Sequence, residues 1–92
     1  MAHTAESFTA DERAVLIPSL AAQIHDDYTG IKEFTAEQRD IAANLMDRFM
    51  DEGENVLALV MAVPAVDMSH VSRKVAPHRS ALVELHTALV NA

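Results

Sequence analysis

Five histidines are the side chains of this sequence best suited to hold a metal or move a proton: His3, His25, His70, His78 and His86. His25 runs directly into Asp26 and Asp27, and His86 follows Glu84 by two positions. A helical zinc site needs two ligands four residues apart on one face, and a di-iron bundle needs Glu-x-x-His; neither spacing occurs. Ser and Thr are present, but there is no Gly-x-Ser-x-Gly turn, no glycine-rich phosphate loop and no Cys. Asp26 and Asp27 are adjacent, so on a helix they point about 100° apart and do not converge on one substrate. The chain is therefore read as a non-enzyme with no catalytic residue, no metal and no cofactor.

The carboxylates suggest a different chemistry, recognition of a basic surface. The net charge is −7 over 92 residues. Up to Glu54 twelve acids face Arg13, Lys32, Arg39 and Arg48, giving −8; beyond it Asp67 and Glu84 face Arg73, Lys74 and Arg79, giving +1. An acidic half repels nucleic acid and steers basic partners. Asp26 and Asp27 stand near a helix C-terminus, where the macrodipole disfavours negative charge, and residues that break a local rule are candidates for function. With Asp47, Asp51, Glu52 and Glu54 at the end of the next helix they would build one acidic patch, provided the two helix ends approach. These six residues are the expected partner-binding set.

The elements that must position them are helical. Ala is the commonest residue, aromatic content is 4%, and there are two glycines. FTADER at 8–13 and FTAEQR at 34–39 repeat one pattern: Thr9 and Thr35 are followed three residues later by Glu12 and Gln38, the reciprocal capping box that starts a helix. From Thr9 a helix runs toward Tyr28, with Ile17, Leu20, Ala21, Ile24 and Tyr28 on one face and Gly30 as its stop. Pro18 removes an N–H and crowds the preceding turn, so a kink or two short helices are expected there. The next helix, Ala36 to about Glu52, turns Ile41, Ala42, Leu45, Met46 and Phe49 inward and Glu37, Asp40, Asn44, Asp47 and Asp51 outward, and Gly53 closes it.

Asn55 is a candidate cap for the apolar run Val56–Val63, read as a short central helix ending at Pro64. At eight residues the run is far below the roughly 20 that cross a membrane. A segment from Met68 to Val75 and a last helix from Pro77 to about Val90, with Leu82, Leu85 and Leu89 as its inward seam, complete the chain.

Residues 66–76, VDMSHVSRKVA, carry one resemblance. Val66, Val71, Ser72 and Arg73 match the V-S-x-x-T-V-S-R pattern, and the stretch resembles the recognition helix of helix-turn-helix repressors of the lactose-repressor class. That resemblance implies a DNA-binding regulator built on residues 56–76. Ser69, His70, Ser72, Arg73 and Lys74 would face the major groove, and Arg79 would contact phosphate. Ala65 stands where the family has its turn glycine, and Asp67 where it has a small polar residue.

The fold expected is all-α, one compact bundle of four to five short helices over residues 1–92, with residues 1–7 disordered and the first helix kinked or broken at Pro18. The function expected is that of a small acidic regulator or inhibitor occupying a basic protein partner through an acidic helical face. Immunity, antitoxin-like and virus-encoded blockers of nucleic-acid machines are the functional analogy. A homodimer formed near residues 56–63 or the leucine seam, a cytoplasmic location, no secretory signal and no membrane complete the expectation. Nucleic acid enters only under the helix-turn-helix alternative.

Overall fold

The computed structural model describes residues 3–68 and 71–91, and among them every regular element is a helix. They are α1 (Ala10–His25), the single turn α2 (Thr29–Lys32), α3 (Ala36–Asp51), α4 (Asn55–Val66), the single turn α5 (Ser72–Val75) and α6 (Arg79–Val90). The all-α bundle expected from the sequence is what the chain forms.

Both capping boxes are made. Glu12 N–H donates to Thr9 Oγ1 at 3.1 Å and Thr9 N–H to Glu12 Oε1 at 2.8 Å. The Gln38 and Thr35 pair repeats this at 3.1 and 2.9 Å. Each box satisfies two amides that the first helical turn leaves without partners.

α1 runs unbroken through Pro18, so the alternative of two short helices is not taken. The carbonyl that loses its donor belongs to Ala14, which is exposed to water, and Ser19 Oγ donates to the next carbonyl, that of Val15, at 2.8 Å. α1 also stops earlier than its apolar spacing suggests. Asp26 adopts the left-handed conformation (φ 52°) and Asp27 N–H reaches back to the Ala22 carbonyl at 3.1 Å, so the helix ends at His25. Gly30 lies within α2 and is not the stop.

Two further boundaries differ from the sequence reading. α4 continues past Pro64 to Val66, its last turn tied down by Arg39 Nη1, which donates to the Pro64 carbonyl at 2.9 Å. Its N-cap is Glu54, with Asn55 already helical. Of the segment from Met68, residues 69 and 70 lie outside the described residues, Met68 and Val71 are not helical and α5 begins at Ser72, while Pro77 sits in a 3-10 turn, Ala76–His78, ahead of α6.

α3 and α4 form the central hairpin, and Gly53 turns it at φ 75°. α4 is buried along Leu57, Ala58 and Val60 to Pro64, as a helix apolar all round must be. α1 packs against α3, α4 and α6, and α5 closes against α4. Leu82, Leu85 and Leu89 sit at 1%, 5% and 2% exposure in the same core as Leu16, Leu20 and Phe49. The seam and most of the 56–63 run are thus buried inside the chain, with Val56 and Leu59 half-buried.

Residues 3–7 also depart from the expected disorder. Ala5–Ser7 form a 3-10 turn, Phe8 is buried, and two arginines hold the segment from opposite sides. Arg13 Nη1 donates to the carbonyls of Ala5 (3.0 Å) and Phe8 (2.7 Å), and Arg48 Nη1 to that of Ser7 (3.1 Å).

Candidate partner-binding face

Because Ala42, Leu45 and Phe49 turn α3 toward the core, its other side is solvent-facing by geometry. Glu37, Asp40, Asn44, Asp47 and Asp51 are all exposed there, at steps of three and four residues. Beside Asp47 lies Met50, 58% exposed, an apolar side chain at the edge of a carboxylate row. Among the described residues no hydrogen bond or ion pair engages Asp47 or Asp51.

Glu52 and Glu54 extend this row only in part, since both are drawn into local pairs. Arg48 Nε lies 3.4 Å from Glu52 Oε2, and His3 Nε2 lies 3.6 Å from Glu52 Oε1 and 3.7 Å from Glu54 Oε2. Arg48 thereby offsets charge at this end of the face.

Asp26 and Asp27 do not join the patch, which corrects the single six-residue site. The segment before α1 lies against the end of α3, where Phe8 and Phe49 meet with ring centroids 6.0 Å apart, so α1 and α3 run antiparallel. α1 has 16 residues and spans about 24 Å, which puts Asp26 and Asp27 at the opposite end of the molecule from Glu52 and Glu54. There they have local structural work. Asp26 is the left-handed cap of α1. Asp27 accepts from the backbone N–H of Thr29 (3.1 Å) and from its hydroxyl (2.8 Å). Those two bonds, the backbone one foremost, hold its carboxyl below the usual carboxylate range.

The helix-turn-helix residues fall as follows. Ser69 and His70 lie outside the described residues. Ser72 opens α5, Arg73 and Lys74 are exposed on it, and Arg79 is exposed at the start of α6. Val71 and Val75 anchor this stretch in the core. α5 is one turn long, and the preceding helix ends at Asp67 in the left-handed conformation (φ 54°), two residues after Ala65, which stands in the place of the family's turn glycine.

No group of three or more His, Asp or Glu side chains is arranged to hold a metal ion among the described residues. An open depression of about 320 Å³ beside Pro18, Ala22, His25, Asp27 and Thr29 contains one of the expected site residues, Asp27. Its carboxylate is already occupied by Thr29.

Sequence reasoning missed His3, Arg13 and Arg48. The contacts of His3 with Glu52 and Glu54 span about fifty residues, and no local pattern announces them. Arg13 lies within the first capping hexapeptide, where its spacing from the preceding turn was the available signal.

Set against known protein families, characterised proteins and solved structures, the chain matches none. What it shows is a small all-α bundle in which, among the described residues, no helix is long and apolar enough to cross a membrane.

Proposed function

We propose that this chain is a non-enzymatic regulator or inhibitor that occupies a basic protein partner through the exposed face of α3. The carrying observation is the row Glu37, Asp40, Asp47 and Asp51 on one exposed side of a rigid helix, with Met50 standing out of its edge. Long-range attraction brings a basic surface to the row, and burial of Met50 then adds short-range apolar contact. Glu52 and Glu54 form its end, Glu52 partly offset by Arg48. A cytoplasmic location and a self-associating state go with this reading. The apolar side chains left for a second copy on α6 are Val83 and Val90, 39% and 54% exposed.

The test uses the full chain immobilised as bait, alongside an Asp47→Lys, Asp51→Lys double variant. Proteins retained by the native face and released by moderate salt should be missing from the reversed one. Retention of the same set by both baits would remove the α3 face from the proposal. A labelled random DNA duplex serves as the second arm at low salt. Saturable binding that weakens steeply with salt would transfer the function to Arg73, Lys74 and Arg79.

A further inference from the structure

Residues 3–8 cross the end of the α3–α4 hairpin, and the imidazole of His3 is set there among carboxylates and aromatic rings. The His3 ring lies 5.5 Å from the Phe8 ring and 5.6 Å from the Phe49 ring, and its side chain is 14% exposed. Its Nε2 is within 3.7 Å of carboxylate oxygens on both Glu52 and Glu54. Glu54 Oε2 is buried and has no hydrogen-bond donor.

The other charged groups facing this place are Arg48, which pairs with Glu52, and Glu84 of α6, which lines a cavity of about 150 Å³ together with His3. Glu52 and Glu54 thus face the imidazole, Glu84 lines the cavity beside it, and the guanidinium meets Glu52 alone among these carboxylates. A neutral imidazole offers a single N–H, whereas an imidazolium donates from both nitrogens and brings the positive charge these surroundings lack.

We propose that residues 3–8 form an acid-tightened strap, in which protonated His3 bridges Glu52 and Glu54 and holds Phe8 over Phe49, and loss of that proton loosens the segment. The bridge needs the imidazolium, so the tightening belongs to the acid side of neutrality and is absent where the ring is neutral. Loosening uncovers Phe8 and Phe49, now at 4% and 0% exposure, beside the already exposed Met50. The amount of apolar surface at the end of α3 then depends on pH. This inference stands on the His3 geometry and does not require the α3 face to bind a partner.

The test is amide hydrogen exchange on the full chain at pH about 5.5 and about 8, corrected for intrinsic chemical exchange. The reporters are the Ser7 and Phe8 amides, which bond to the Thr4 and Ala5 carbonyls. Leu16 and Leu20 amides report global stability. Ser7 and Phe8 should be protected about two- to fivefold more at the lower pH, the size of a partly exposed ion pair. The difference should vanish in His3→Gln and shrink in Glu54→Gln, with the core amides as the check that each variant is folded. Equal protection at the two pH values, or a difference that survives in His3→Gln, overturns the proposal.

Discussion

The Arg48 guanidinium lies over the Phe8 ring, 5.0 Å from its centre, and so joins the end of α3 to the residue that precedes α1. The same side chain donates to the Ser7 carbonyl and pairs with Glu52. Arg48→Ala removes a cation–π contact and a charged hydrogen bond together. It should lower unfolding free energy by about 1–2 kcal/mol in urea titration. Arg48→Lys should recover only part, because an ammonium lacks the planar fork.

The left-handed caps make a second prediction. Asp26 and Asp67 hold φ near 50° with a Cβ present, and each places a negative charge at a helix C-terminus. Asp67→Gly and Asp26→Gly should each stabilise by about 0.5–1 kcal/mol, read as a higher denaturation midpoint at unchanged slope. Alanine at either site keeps the steric strain and should not reproduce the gain.

Gln23 is 8% exposed; its Oε1 accepts from the Tyr28 hydroxyl at 3.3 Å, while its Nε2 is buried without a partner. Gln23→Leu removes that orphan donor, and the half-exposed Tyr28 hydroxyl can turn to water. The variant should be more stable by about 1 kcal/mol in thermal or urea unfolding. A loss of stability would show that the amide holds its place through a bridging water.

Asp27 sets the sign of one pH effect. Its carboxyl is held below the ordinary range in the folded state by the Thr29 N–H and hydroxyl. The stabilisation is therefore fully present above the ordinary aspartate value, about 3.9, and fades as pH falls through the lower folded value. Melting temperature followed from pH about 6 down to about 2.5 should fall less steeply for Asp27→Asn than for the native chain. Parallel curves would remove Asp27 from the acid limb.

Much of the fold was legible because its signals are local. The two capping hexapeptides fix where α1 and α3 begin, and the inward row Ala42, Leu45 and Phe49 fixes which side of α3 meets water. The outward acids followed from the same periodicity. Boundaries set by distant contacts were not legible: α4 passes Pro64 because Arg39, twenty-five residues earlier, binds the Pro64 carbonyl. The division of the acids between two ends was equally hidden, since it depends on α1 and α3 running antiparallel, a relation made through Phe8 and Phe49. A left-handed aspartate is also hard to foresee, because the glycine four residues on offers the more familiar stop.

α4 has a consequence for how this molecule comes apart. Its twelve residues include seven buried ones and no charge, so the surrounding helices serve as its solvent. Its interior amides should open to deuterium only when the whole chain opens, and their exchange rate is then a direct gauge of total stability. A cut after α4 would also leave that helix on a fragment lacking α5, which packs against it, with part of its cover gone and an adhesive surface in its place.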